Sequence, residues 1–211
     1  MSVAGAAKPD PSPWLSVWST PGDTIERVLA AKSRPYWLYP WLLAAGATAA
    51  HDVGVTSRVA GTVPLLDGQF LLAEAINAFV IGAADLGLYG FILRWSGWMV
   101  GGRASFAQMC AVNSRGRAPV CAALVIDVAI ILLAGGATGQ MPASAINVLK
   151  GVGLTVNVWT AVATVAMLRR VQAFDWWRAI FNYAASLALG FLFVMLIKSY
   201  LFPLFNMLDL Q

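Results

Sequence analysis

Four polar side chains in one apolar segment have residue types and a spacing that could do chemistry. Glu74 and Asp85 are 11 residues apart, close to three turns of a helix, so both lie on one helical face. Asn77 falls in the same sector, and Tyr89 follows Asp85 by one turn. Charged groups at membrane depth cost about 2.5–3.5 kcal/mol or more and normally face the interior of a bundle. The segment therefore predicts a polar stripe that faces other helices.

Asp127 stands near the middle of another apolar segment. Counted from opposite ends at ~1.5 Å per residue, Asp85 and Asp127 come to nearly the same depth. One hypothesis is that the two carboxylates share a proton and line a proton or cation pathway. The alternative is that each bonds locally. A metal site is a third, weaker hypothesis, because His51 is the only histidine in the sequence. The local partners considered are backbone groups, cytoplasmic arginines, Tyr89, Asn157 and Asn182.

Two lysines lie near the ends of later apolar segments. Lys150 and Lys198 could form an outer cluster of charges with Glu74. Structural ion pairing, or lysine side chains that reach to the membrane surface, is the alternative. The complete predicted polar core consists of Glu74, Asn77, Asp85, Asp127, Lys150, Asn157 and Lys198.

The composition places these charges in a membrane. Of 211 residues, 59% are hydrophobic and 11% are charged, against about 45–50% and about 25% in a soluble domain. A soluble domain and a disordered chain are both excluded. The sequence has no phosphate-loop, HExxH or nucleophile-elbow pattern. We therefore expect no enzymatic activity, no cofactor and no metal site.

The elements that position these residues are predicted to be helices. The expected fold class is all-α, a polytopic membrane protein with five transmembrane helices and an N-terminal amphipathic interfacial helix. Residues 1–13 are predicted to be a disordered tail, residues 14–34 a cytoplasmic amphipathic segment and residues 35–205 the transmembrane domain. The five spans are predicted at about 36–50, 70–93, 119–133, 146–168 and 179–202.

Two shorter helices are predicted outside the spans. Thr20 is the expected N-cap and Pro21 the first residue of a helix that ends near Lys32. This helix either lies on the membrane surface or docks a partner, and the two roles are compatible. A second surface helix is predicted over Ser105–Val112.

The basic residues are distributed unevenly between the two sides of the spans. Eleven of the 14 fall on the side of the N-terminus and one, Arg58, on the other. The positive-inside rule then predicts a cytoplasmic N-terminus, and five spans put the C-terminus outside the inner (cytoplasmic) membrane. Together with Arg103, a belt of tryptophans is predicted at the cytoplasmic interface: Trp14, Trp18, Trp37, Trp41, Trp95, Trp98, Trp176 and Trp177.

Small residues on the second and fifth spans predict close helix packing. The second span contains Ala78, Gly82, Gly87 and Gly90. The fifth contains two small-xxx-small patterns, Ala184 with Ala188 and Ser186 with Gly190. Packing within one molecule and a seam between two copies are both compatible with these patterns.

Several of these features resemble the bacterial branch of the Yip1 family of five-span membrane proteins. The resemblance covers residues 12–205 and includes the TPGDT helix start at Thr20, the LYGF stretch from Leu88, the WMVGGRASF stretch from Trp98 and Pro119 at the start of a span. It implies the five-span topology and an adaptor or membrane-organising role. It implies no catalytic residues.

Two functions are predicted from this sequence. The first is a membrane scaffold or adaptor that uses its cytoplasmic Trp/Arg face to bind anionic lipid headgroups or a partner protein. The alternative is a small proton- or cation-coupled transporter or channel component that uses Asp85 and Asp127. The lipid bilayer is the expected partner, and a protein partner and a homo-oligomer stay open. No nucleic-acid partner is expected.

Overall fold

The described part of the protein consists of helices joined by short turns. The computed structural model describes residues 12–31, 38–60, 68–134 and 141–208, apart from the side chains at 13, 14, 38, 39, 54–60, 70, 197, 198 and 200–208. These ranges contain no strand, which confirms the all-α prediction. The helices are α1 (Pro13–Ser19), α2 (Pro21–Ala30), α3 (Leu38–Ala60), α4 (Gly68–Met99), α5 (Phe106–Gly116), α6 (Ala118–Leu133), α7 (Ala143–Val171) and α8 (Trp176–Leu208).

Four helical stretches are long and apolar enough to cross a membrane. They are Leu71–Met99 in α4, Phe106–Leu133 across α5 and α6, Ala143–Val171 in α7 and Trp176–Leu196 in α8. Large apolar side chains are exposed along all four, as helices in contact with lipid require. The protein is thus a multi-pass membrane protein. The five-span count stays a prediction, because α3 is not one of these stretches and its side chains are described only from 40 to 53.

Helix α5 turns back along α4, whereas the sequence predicted a surface helix in this region. Gly101 has φ +89°, the left-handed conformation that glycine adopts without strain, and it allows the tight turn. Ser105 then begins α5 with a capping box. Its hydroxyl accepts a hydrogen bond from the backbone N–H of Gln108 at 3.2 Å, and its own N–H donates to Gln108 Oε1 at 2.7 Å. From Met109 onward α5 is largely buried in the bundle.

Helices α5 and α6 together form one continuous apolar stretch of the bundle, here called a leg. Helix α6 alone has 16 residues, or about 24 Å at ~1.5 Å per residue, which is shorter than the ~30 Å of a bilayer core. The stretch from Phe106 to Leu133 has 28 residues. Arg115 and Arg117 therefore lie inside an apolar leg, whereas the sequence analysis counted both as cytoplasmic. The predicted set of cytoplasmic basic residues therefore falls from eleven to nine.

The N-terminal helices α1 and α2 pack against the bundle. Ile25 of α2 is fully buried, so protein contacts cover the apolar face that the sequence assigned to the membrane surface. Arg170 of α7 approaches Asp23 at 3.2 Å and Glu26 at 3.6 Å. Pro21 is the first residue of α2 as predicted, but the Thr20 side chain does not cap the helix. Its hydroxyl instead donates to the carbonyl of Ser16 at 3.4 Å.

Helices α3 and α4 approach each other most closely at Gly82. A Cβ on Gly82 would lie 2.6–2.8 Å from backbone atoms of Ala44 and Ala45. A Cβ on Gly87, one and a half turns further along α4, would meet nothing within 4 Å. The predicted small-residue packing therefore operates within the molecule at Gly82. Gly190 of α8 likewise faces the Tyr89 ring, 3.5 Å from the position of a Cβ.

The apolar core is divided into two clusters. The larger joins buried residues of α1 to α5 with others from α6, α7 and α8, and it includes Met167 of α7. The smaller lies toward the other end of the bundle and includes Ile131 of α6 and Leu149 of α7. Between Leu149 and Met167, α7 carries three polar residues that line a cavity: Asn157, Thr160 and Thr164.

Candidate functional site

A polar cavity of about 560 Å³ lies inside the bundle, bounded by residues of α3 to α8. Its extent along α4 is large. Asn77 and Tyr89 both line it and are twelve residues apart, or about 18 Å along the helix axis. Its polar lining consists of Thr48, His51, Asp52, Asn77, Asp85, Tyr89, Asn113, Arg117, Asn157, Thr160, Thr164 and Tyr183.

An ion pair between Arg117 and Asp85 occupies one part of this cavity. The Arg117 guanidinium donates to Asp85 Oδ1 at 2.8 Å and, through Nε, to Asn113 Oδ1 at 3.2 Å. Its carbon atom also lies 5.7 Å from the centre of the Tyr89 ring, within cation–π range. The antiparallel packing of α5 on α4 brings these residues to one level. The Tyr89 hydroxyl is 3.2 Å from Ser186 Oγ, which ties the site to α8.

A second polar pair lines the cavity nearer the N-terminal end of α4. The side-chain amide of Asn77 donates to Asp52 Oδ2 of α3 at 2.7 Å, and His51 lies beside Asp52 in the lining. The lining therefore contains two carboxylates, Asp52 and Asp85, and one guanidinium. With His51 neutral, its formal charge is one negative unit.

Three buried polar atoms of the lining have no hydrogen-bond partner among the residues that the structure describes. They are Asp85 Oδ2, Asn113 Nδ2 and Thr160 Oγ1, from α4, α5 and α7. Asn113 is only 3% exposed. A buried polar group without a partner costs about 1–3 kcal/mol. These atoms are therefore unsatisfied groups that the surrounding protein atoms bury.

The predicted polar core is only partly assembled at this cavity. Asp85, Asn77 and Asn157 line it. Glu74 is half-buried on α4 outside the lining, and Lys150 is exposed on α7 with no ion pair to Glu74. The side chain of Lys198 lies outside the described residues.

The structure does not bring Asp127 and Asp85 together. Asp85 pairs with Arg117, and Asp127 follows Arg117 by ten residues, or about 15 Å along α6. Asp127 is 6% exposed and is not part of the cavity lining. A shared proton between these two carboxylates therefore has no geometric support.

Sequence reasoning missed eight of the twelve polar residues in the lining. Arg117 was counted as cytoplasmic, and the other seven were not among the candidates for the polar core: Thr48, His51, Asp52, Asn113, Thr160, Thr164 and Tyr183. A length argument could have found Arg117. A span that starts at Pro119 and ends near Leu133 is too short to cross a bilayer, so residues before Pro119 have to contribute.

A second candidate site is a groove at the C-terminal end of α4, here called the Trp/Arg groove. It has a volume of about 430 Å³ and is lined by Phe91, Arg94, Trp95, Trp98, Gly102, Arg103 and Ala104. Trp98 is 70% exposed, and both arginines are exposed. Neither Arg94 nor Arg103 has an ion-pair partner in the described part of the chain, and no carboxylate lines the groove.

Other predicted interface residues lie at the same end of the bundle. Trp176 and Trp177 begin α8 and are exposed, and the Arg169 guanidinium lies 4.8 Å from the centre of the Trp176 ring. Gly102 packs against Phe174, so the end of α4 and the start of α8 are neighbours. Trp18 of α1 is partly exposed.

Trp41 does not belong to this group. Its indole N–H donates to the Phe79 carbonyl at 3.0 Å, and the two rings meet edge to face. Phe79 precedes Trp95 by sixteen residues, or about 24 Å along α4. The side chains of Trp14 and Trp37 lie outside the described residues.

Comparison with known proteins identifies the family of this chain. The family model described as the Yip1 domain matches residues 15–197. No curated protein and no solved structure matches the chain. The matched region begins in α1 and ends in α8, so it contains both the polar cavity and the Trp/Arg groove. The protein therefore belongs to the Yip1 family.

Proposed function

We propose that this protein is a scaffold of the inner membrane that holds anionic lipid headgroups in the Trp/Arg groove. The observation that carries the proposal is the pair of exposed arginines, Arg94 and Arg103, without a carboxylate in the lining. A phosphate group supplies the negative charge that this groove lacks, and arginine binds phosphate with well-defined geometry.

The tryptophans of the groove suit a headgroup site. An indole ring has an apolar body and one N–H donor, and this combination favours the boundary between lipid tails and headgroups. Trp95 and Trp98 are both exposed beside the arginines. A lipid in the groove would therefore meet apolar surface along its glycerol and upper chains and positive charge at its phosphate.

Loss of both groove arginines is expected to weaken anionic lipid binding about 30-fold. Each arginine near an anionic surface contributes about 1 kcal/mol, so Arg94→Gln with Arg103→Gln removes about 2 kcal/mol. Binding of short-chain phosphatidylglycerol to the purified protein in neutral detergent measures this, by microscale thermophoresis. Wild-type affinity should also fall as salt is raised.

Arg178→Gln is the matched control for this experiment. Arg178 is exposed at the same end of the bundle, but it lies outside the groove and faces Asp175 at 4.0 Å. It should change the affinity less than twofold. Equal affinity in the wild type and the double variant would contradict the proposal.

We further propose that the end of the bundle with the Trp/Arg groove faces the cytoplasm and that the C-terminus lies outside. The gathering of Arg94, Arg103, Arg169 and Arg178 near one end supports this orientation. A phosphatase reporter fused after Gln211 is expected to be active outside the cytoplasm, and the same reporter fused before Met1 inactive. An inactive C-terminal fusion that is stably expressed would contradict the five-span topology.

The proton- or cation-coupled transporter is not favoured. It requires Asp85 and Asp127 as a pair of titratable groups, but Asp85 bonds to Arg117 and Asp127 lies away from the cavity. Contact with a second copy stays a proposal. Ala184 and Ala188 are exposed on α8 and would form its seam.

A further inference from the structure

The Trp/Arg groove has two positive charges and, in the described part of the chain, no negative charge in its lining. Arg94 and Arg103 are both exposed, and neither forms an ion pair with another described residue. One phosphodiester carries one negative charge, so a single phosphatidylglycerol leaves one positive charge without a counter-charge. Full neutralisation of the groove requires a ligand with two negative charges.

A carboxylate near this end of the bundle is engaged elsewhere. Phe174 packs against Gly102 of the groove, and Asp175 follows it in the chain. The Asp175 carboxylate accepts a hydrogen bond from the backbone N–H of Arg178 at 2.8 Å and faces the Arg178 guanidinium at 4.0 Å. It does not line the groove. The positive charge of the groove is therefore left for a ligand to neutralise.

The two arginines reach the groove from different parts of the chain. Arg94 belongs to α4, which continues to Met99. Arg103 follows the turn at Gly101. Trp98 stands between the two arginines in sequence and lines the same groove. Two positive groups held on separate elements match two phosphates on a short linker better than they match one phosphate.

The apolar surface beside the groove indicates a lipid rather than a soluble diphosphate. Leu88, Phe91, Trp95 and Trp98 follow one another at spacings of three, four and three residues, so they lie on one face of α4. All four are exposed, and the last three line the groove. Acyl chains attached to a ligand in the groove can therefore pack along this stripe.

We propose that the Trp/Arg groove prefers a lipid whose two phosphates are joined by one glycerol, which is the headgroup of cardiolipin. This preference rests on the proposed function, because it names the lipid that the same site would hold. Two phosphatidylglycerol molecules would supply the same charge, but each would bring its own terminal glycerol into a groove of about 430 Å³. In cardiolipin the second phosphate is already tethered when the first one binds, so a high effective concentration favours the second contact.

The test compares three lipids with matched myristoyl chains on the purified full-length protein in neutral detergent. These are cardiolipin, phosphatidylglycerol and phosphatidic acid. Binding is measured by microscale thermophoresis at about pH 8, above the second pKa of a phosphate monoester. At equal phosphate concentration, we expect cardiolipin to bind about tenfold more tightly than phosphatidylglycerol. Equal affinity for these two lipids would overturn the proposal.

Phosphatidic acid separates the number of charges from the number of phosphates. At this pH it carries two negative charges on a single phosphate, so it matches the charge of cardiolipin without its bridge. We expect it to bind more weakly than cardiolipin. If it binds as tightly, both arginines hold one phosphate and the preference for a bridged pair is wrong.

Single variants test whether the preference needs both arginines. Arg94→Gln and Arg103→Gln each leave one positive group, which a single phosphate satisfies. In both variants the advantage of cardiolipin over phosphatidylglycerol should fall to about twofold or less. Arg178→Gln should keep the full advantage, because Arg178 lies outside the groove. If the advantage survives in either groove variant, the two arginines do not act together and the proposal is wrong.

The preference for cardiolipin and the proposed function can fail separately. If the wild type and the double variant, Arg94→Gln with Arg103→Gln, bind phosphatidylglycerol equally, the groove is not an anionic lipid site and both fail. If phosphatidylglycerol binding depends on the two arginines but cardiolipin binds no more tightly, the proposed function stands and only the preference is wrong.

Discussion

Gly82→Ala is expected to destabilise the protein by about 3 kcal/mol. The new Cβ would lie 2.6–2.8 Å from backbone atoms of Ala44 and Ala45. Backbone atoms cannot rotate away as a side chain can, so α3 and α4 have to separate. Excess volume in a packed core costs about 1–3 kcal/mol, and a clash with backbone belongs at the upper end of this range. Thermal unfolding in detergent, followed by tryptophan fluorescence, measures the loss.

Gly87→Ala provides the matched control on the same helix. No atom lies within 4 Å of a Cβ at Gly87, and replacement of a glycine inside a helix by alanine stabilises it by about 0.5–1 kcal/mol. Gly87→Ala should therefore unfold at the wild-type temperature or slightly above it. If both variants unfolded at the same temperature, the close contact between α3 and α4 at Gly82 would be contradicted.

Arg117→Met is expected to cost about 3 kcal/mol of stability. It removes the partner of Asp85 and leaves a carboxylate inside the bundle without its compensating charge. Breaking a buried ion pair by removal of one partner costs about 3–5 kcal/mol. The lower end applies because both side chains keep 26% of their surface exposed. Chemical unfolding of the purified protein gives the free energy directly.

A double variant separates the ion pair from other effects of the substitution. Arg117→Met with Asp85→Leu removes both charges and should recover much of the stability lost in Arg117→Met. Arg178→Met is the control, because its pair with Asp175 is long and exposed and should contribute less than about 1 kcal/mol. If the double variant lost the sum of its two single losses, Arg117 and Asp85 would not be coupled.

The helical class and the membrane location could be predicted from composition and segment length alone. Asp85 and Asn77 are half-buried and bond to Arg117 and to Asp52 of α3, as polar groups on an apolar segment are expected to do. Asn157 is exposed, and its amide donates to the Gly153 carbonyl of its own helix. The sequence could not single out one neighbour for each of them. Cytoplasmic arginines were among the local partners considered for Asp85, and its partner is one of the residues counted as cytoplasmic, Arg117.

One physical reason explains why the sequence could not place Arg117 beside Asp85. A basic residue between two apolar segments looks the same in sequence whether it lies at the membrane surface or at a junction inside the bundle. The turn at Gly101, which sends α5 back along α4, decides between the two. The supposed equal depth of Asp85 and Asp127 failed for the same reason, since α6 continues inward from Arg117 and carries Asp127 about 15 Å away from it.

The joining of α5 and α6 into one leg also bears on how the protein enters the membrane during synthesis. Helix α6 is too short to be inserted alone, and its α5 extension brings Arg117 with it. An arginine that entered the bilayer by itself would meet an insertion cost of about 2.5–3.5 kcal/mol or more. Helix α4, made earlier, already presents Asp85 at the matching level. Helix α4 and the combined α5–α6 stretch are therefore expected to enter the lipid together, as a hairpin that has already paired, rather than one after the other.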